Sequence, residues 1–145
     1  MKVRATAALI EDGRILLVEQ RVNDARGWSL PGGTLEEGEA LGACLAREIL
    51  EETGLDVVVE RLLYVCDRIA CGQHVVHITF AVRRAGGCLR VGCEPEAGAN
   101  PIKSVEMVPL ASLDAYGFSR RFCELVAAGF PDSGTYQGDI ANIGL

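Results

Sequence analysis

An α/β fold, with a mixed sheet flanked by helices, is what the order of elements in this sequence predicts. Three observations carry that expectation. Two apolar, partly β-branched runs, "KVRATAALI" and "RILLVEQ", meet across "EDGR", whose Asp-Gly pair is a strong hairpin signal. A helical stretch follows from about Glu39 to Thr53, and Gly54 stands where a helix-ending glycine belongs. Further strand-like runs and a second helical stretch come after it, so the order reads strands, helix, strands, helix.

The elements follow in turn. Between the hairpin and the first helix, "RVNDARGWSLPGG" reads as a loop closed by Pro31, Gly32 and Gly33. After Gly54, "DVVVERLLYVCDRIA" makes one or two strands, "CGQ" a turn, and "HVVHITFAVRRA" the clearest strand in the chain. A Gly-Gly pair leads to a short strand around "CLRV", and "GCEPEAGANPIKS" is a loop. "VEMVPL" is a strand, and "SRRFCELVAAG" a second helix with Ser119 at its cap. The tail, "FPDSGTYQGDIANIGL", carries no clear pattern. No repeat, low-complexity tract or long linker divides the chain, so one domain over residues 1–145 is expected.

Composition narrows the function. The 145 residues suit a single core, and 49% apolar with 23% charged is the profile of a soluble globular protein. No apolar run approaches the roughly 18 residues of a membrane span, and the N-terminal one is too brief for a signal peptide. A cytoplasmic protein without a membrane partner is expected. The net charge of −6 argues against non-specific nucleic-acid binding. It leaves room for a phosphorylated substrate if metal ions bring the positive charge. Cys66/Cys71 and Cys88/Cys93 each enclose four residues, where zinc sites more often use two to four with His or Cys partners nearby. Reduced thiols, mostly buried or strand-borne, are the expectation; a cluster with His74 and His77 is the alternative.

The first helix holds the conflict that points to chemistry. At about 100° per residue, Leu41, Cys44 and Leu45 share a face, and the same stripe continues to Glu48, Glu51 and Glu52. Ala43, Ala46, Ile49 and Leu50 leave the helix apolar on most sides, so cover on most sides is expected. Like charges at these spacings repel, and they sit at the negative end of the helix dipole. A solvated acidic face with an Arg47–Glu51 pair is the plain reading of such a run. The stripe and the dipole favour a metal site instead, because hard cations such as Mg²⁺ take carboxylate oxygens together with substrate phosphate.

The spacing itself is distinctive. Gly33 is followed after five residues by Glu39, after seven more by Arg47-Glu48-Ile49, then by Glu51-Glu52 and Gly54-Leu55. This resembles the complete signature of the Nudix hydrolases. "WSLPGG" before it and "VEMVPLASL" far behind it are also similar to that family. The resemblance implies an α/β/α sandwich and Mg²⁺-dependent, sometimes Mn²⁺-dependent, hydrolysis of a nucleoside diphosphate linked to another moiety. Carried over, it makes Glu48, Glu51 and Glu52 the metal-binding carboxylates, with the Gly33 carbonyl as an added ligand. It makes Arg47 the residue that orients a signature glutamate, and Glu39 a brace between loop and helix with metal binding as a second role. Gly32 and Gly33 let the backbone pass close to the metal, and Gly54 turns the chain out of the helix.

Relatives in the family differ on which carboxylate takes the proton of the attacking water. Glu52 is favoured here, as base or metal ligand, with Glu51 beside it; Glu96 is a second candidate in a loop that also offers Glu94, with Glu106 just beyond. Arg21 and Arg26 are candidates for substrate phosphate, with exposed salt bridges as the alternative. Trp28 either stacks on a base or packs under the Pro31 turn. His74 and His77 fall on opposite faces of their strand. Substrate markers known downstream of the signature are absent: no proline lies between Pro31 and Pro95, and Tyr64 comes too early. A small nucleotide is therefore expected, with a 5′-phosphorylated RNA end as the one nucleic-acid exception. A homodimer is common among small members. A catalytically inactive nucleotide-binding module on the same fold is the alternative function, and an isoprenoid-diphosphate isomerase ranks last for want of further histidines.

Overall fold

The computed structural model describes all residues except 22 and 93–100. Its centre is strand β1, Lys2–Glu11, which belongs to two sheets at once. The end of β1 turns through Asp12-Gly13 into β2, Arg14–Glu19, but only Ile10 and Glu11 pair with it. The hairpin then opens like a fork. Strand β3, Trp28–Ser29, takes over the freed edge of β2, and β4, Gly32–Thr34, takes the edge of β1. Between them, the Pro31 carbonyl accepts the Ala7 N–H at 2.9 Å, which seats the glycine pair in the fork. Neither short strand shows in the sequence, where the whole segment reads as a loop.

Helix α1, Leu41–Thr53, begins two residues later than the sequence suggests, and Gly54 ends it in the left-handed conformation (φ 76°) with its N–H on the Leu50 carbonyl. The stretch read as one or two strands is one long strand, β5, Leu55–Ala70, with register shifts along its pairing with the next strand. Its antiparallel partner β6, Gln73–Gly87, runs parallel to β1 on its other edge. No strand forms at "CLRV". Strand β7, Ser104–Pro109, pairs with β2. A 3₁₀ segment, Leu110–Tyr116, precedes α2, Arg120–Ala127, where Ser119 caps the helix by accepting the Phe122 N–H at 3.1 Å. The tail supplies β8, Thr135–Asp139, parallel to β5 at the sheet edge.

Two apolar clusters give the sandwich its layers. Odd-numbered β1 residues Ala5, Ala7 and Leu9 join Leu16, Val82 and the α1 residues Cys44, Leu45 and Ile49 on one face. Even-numbered Ala8 joins Tyr64, Cys66, Phe118, Phe122 and Leu125 on the other, under α2. This is a mixed sheet flanked by helices, as the element order predicts, and the α/β/α sandwich that the resemblance implies. One detail differs: α1 is covered on one side only, and Leu50 is 43% exposed. Among the described residues, no helix is long and apolar enough to cross a membrane.

Candidate active site

The site grows from the way α1 meets the fork. Glu48 is 3% exposed and Glu52 1%, although both carry carboxylates. Glu48 packs against the Gly33 backbone so closely that a Cβ there would lie 2.1 Å from its carboxyl carbon. Glu52 Oε2 accepts the Gly32 N–H at 3.4 Å. Gly32 itself has φ 151°, and a Cβ on it would stand 2.2 Å from the Ala5 carbonyl oxygen. The two glycines thus let one strand edge touch two carboxylates one helical turn apart.

Arg47 organises the outer part. Its Nε and Nη2 donate to the two Glu39 oxygens at 2.7 and 3.0 Å, a bidentate clamp between loop and helix. Its Nη1 donates to Glu48 Oε1 at 2.8 Å and stands 3.5 Å from Glu51 Oε2. Glu39 also accepts the Glu36 N–H at 3.1 Å, which fixes the loop ahead of α1. The Arg47 hydrogen bonds hold the Glu39 carboxyl down to about 2, and the same contacts raise the Arg47 guanidinium further above its usual range. Both the i,i+4 pair and buried carboxylates are therefore present, so the helix is not merely a solvated acidic face. Among the described residues, no group of three or more His, Cys, Asp or Glu stands arranged to hold a metal.

The remaining candidates fall elsewhere. Arg21 lies at the surface in an ion pair with Asp24. Arg26 turns inward: its Nη1 donates to the Trp28 carbonyl at 2.8 Å and its guanidinium lies 4.8 Å from the Phe118 ring centre. Trp28 packs edge-on against Tyr116, centroids 4.9 Å apart, and Tyr116 donates to Glu106 at 2.8 Å. Glu94, Glu96 and Cys93 lie outside the described residues. Cys44 and Cys66 are buried thiols that burial pushes up to about 11, whereas Cys71 and Cys88 are exposed.

The sequence reading missed one part of the site. Where a strand was expected, residues 88–92 run as a strap across the end of α1. Arg90 N–H and Gly92 N–H donate to the Thr53 and Glu52 carbonyls, both at 2.9 Å. These bonds satisfy carbonyls that a helix end leaves open. Gly92 has no room for a side chain, since a Cβ would fall 1.6 Å from the Glu51 carbonyl oxygen. Only the glycine itself could have signalled this in the sequence. Gly92→Ala is expected to push the strap off the helix end, lowering kcat by about tenfold through displaced carboxylates. Gly42→Ala on the open side of α1, where nothing lies within 4 Å, is expected to gain about 0.5–1 kcal/mol and keep full turnover. Thermal denaturation and kcat for both variants check the pair; equal effects would sink the strap's role.

A three-layered α/β/α protein with buried glutamates pressed against a glycine turn is the class these features define. The chain belongs to the Nudix family: the model of the NUDIX domain matches residues 1–126. It is 38% identical over 90 residues to an 8-oxo-dGDP phosphatase of Homo sapiens, covering 61% of this chain and 27% of that protein. Over 93 residues it is 42% identical to an ADP-ribose pyrophosphatase of Methanocaldococcus jannaschii, covering 61% and 54%. Among solved structures, a MutT NUDIX hydrolase from Burkholderia pseudomallei is 33% identical with a TM-score of 0.60, covering 76% of this chain and 84% of that one. The chain thus spans between about a quarter and about half the length of these two curated relatives.

Proposed function

We propose that this chain is a divalent-metal-dependent hydrolase. Its reaction is cleavage of the diphosphate linkage in a nucleoside diphosphate joined to another group, such as a nucleoside triphosphate or nucleotide sugar. One observation carries the reading: two glutamates are buried at the end of α1 against the glycine pair, with a third beside them. Folding alone gains nothing from that arrangement.

The donor set fits a hard cation. Glu48, Glu51, Glu52 and the Gly33 carbonyl offer oxygen only, which suits Mg²⁺ or Mn²⁺. When bound, such an ion supplies positive charge against the phosphate oxygens and a more acidic water. The chain's own groups do the rest. Arg47 holds Glu48, Glu51 and Glu39 in one arrangement, so the carboxylates are oriented before substrate arrives. Glu52 is assigned the proton of the attacking water, held at its carboxylate beside the Gly32 N–H, as well as a share in metal binding. Of the two arginines considered for substrate phosphate, Arg26 is engaged with Phe118 and Trp28, and Arg21, at the surface in an ion pair with Asp24, stays the candidate.

The names of the relatives point to different nucleotides, so the leaving group has to be measured. A panel of nucleoside triphosphates, nucleotide sugars, dinucleoside polyphosphates and 5′-triphosphate RNA, with Mg²⁺ or Mn²⁺, is expected to yield nucleoside monophosphate from at least one. Chelation with EDTA is expected to return that rate to background. Nucleotide binding by calorimetry with no product under any condition would replace the enzyme by a binding module.

A further inference from the structure

A buried thiol stands under the Arg47 clamp, and the proposed reaction gives it no part. Cys44 lies one turn before Arg47 on α1. Helical side chains lean toward the N-terminus, over the residues three and four positions back. Arg47 therefore folds onto Cys44, and its Nη2 donates to Sγ at 3.8 Å. Cys44 itself is fully buried, in the apolar cluster of Ala5, Leu45 and Ile49. The thiol also hydrogen-bonds to the Glu39 carboxylate, one of the contacts that hold that carboxyl low. Burial and then the Glu39 charge push the thiol up to about 11, so it keeps the proton it donates.

The guanidinium presents its N–H donors in one plane. Nε and Nη2 donate to Glu39, and Nη1 faces Glu48 at 2.8 Å and Glu51 at 3.5 Å. The rest of Nη2 lies between the Thr34 carbonyl at 3.4 Å and the Cys44 sulfur. Of the side chains that meet Arg47, the glutamates are long and flexible, whereas the thiol is short and locked by core packing. Cys44 is thus a fixed point beneath a plane whose other side-chain partners can move.

We propose that Cys44 is a positioning residue for the hydrolysis: its thiol fixes the plane of the Arg47 guanidinium from beneath and, through Arg47, the place of the Glu48 carboxylate. That role rests on the hydrolase reading above. Loss of the thiol frees Arg47 to rock into the space below, and Glu48 loses its set orientation. The hold on the metal weakens, and the hold on the nucleotide does not.

Cys44→Ala and Cys44→Ser separate this role from core packing. Ala removes the hydrogen bonds and is the milder change within an apolar cluster. Ser keeps them and is the harsher change, because a hydroxyl is costly to bury. In Cys44→Ala the Mg²⁺ concentration for half activity, on whichever nucleotide the panel identifies, is expected to rise about fivefold with the nucleotide KM unchanged. In Cys44→Ser it is expected to return to within about twofold of the wild type although the Tm is lower. An Ala variant equal to the wild type, a Ser variant as impaired as the Ala variant, or a KM that rises in parallel would overturn the role. The metal-free protein gives an independent reading. The NMR signal of the Arg47 Nε–H is expected to exchange with solvent about fivefold faster in Cys44→Ala than in the wild type, and to recover in Cys44→Ser. If nothing in the panel turns over, the hydrolase reading fails and this exchange rate alone decides whether Cys44 holds Arg47. An unchanged rate in Cys44→Ala would overturn the proposal.

Discussion

Glu52→Gln is expected to reduce kcat by about 10²- to 10⁴-fold, the range seen when a general base or its equivalent is lost. The fold is expected to stay as stable as before, or to become more so. Glu52 is 1% exposed, with Glu48 one turn behind it and Glu51 next to it. Removing one negative charge relieves repulsion within that group and at the helix C-terminus. The amide of Gln keeps the volume, so no cavity forms. Stability rising while turnover collapses is the mark of a residue retained for function rather than for folding. The two roles assigned to Glu52 also separate. A lost base lowers kcat at every Mg²⁺ concentration and flattens the acid limb of the pH–rate profile. A lost ligand raises the Mg²⁺ concentration needed for half activity. Glu51→Gln gives the comparison, since Glu51 is a third exposed at its side chain and held by Arg47. Unchanged turnover in both variants would remove the proposed site.

The helix carrying these carboxylates was legible because its information is local. The stripe from Cys44 to Glu52 and the closing Gly54 are set by helical periodicity and by one left-handed residue. The hairpin at Asp12-Gly13 and the Ser119 cap are local for the same reason. Strands β3 and β4 were not, because two and three residues hold no period. They exist only because β1 and β2 diverge and leave two edges open. Strand β8 is invisible for a similar reason: its pairing with Tyr64, Val65 and Asp67 comes from a distant part of the chain. The strap at residues 88–92 is extended like a strand but spends its hydrogen bonds on a helix end. Arg26 was not legible either: its position before the glycine pair left substrate phosphate and an exposed salt bridge open, and tertiary packing lays its guanidinium over Phe118.

Gly32→Ala and Gly33→Ala are expected to fail in different ways, although the residues are adjacent. An added Cβ on Gly32 would meet backbone, 2.2 Å from the Ala5 oxygen and 2.6 Å from the Thr6 Cα, at a φ of 151°. Backbone in a paired strand cannot yield, so a loss of about 3 kcal/mol or more is expected from overpacking and strain together. The Tm falls accordingly, and β4 leaves the edge of β1. On Gly33 the three atoms nearest an added Cβ all belong to the Glu48 carboxyl group, at 2.1 to 2.4 Å. That group ends a flexible side chain, so it can swing away at a cost of about 1–2 kcal/mol while the fold survives. It cannot swing away and keep its place between Arg47 and the loop. A displacement of even 1 Å in a catalytic group can cost about 10² in rate, so Gly33→Ala is expected to be a folded protein with little turnover. Circular dichroism melts and kcat distinguish the two. A Gly33→Ala protein that keeps its turnover would mean that Glu48 does not need its position against the loop, and the metal-ligand role assigned to it would fall.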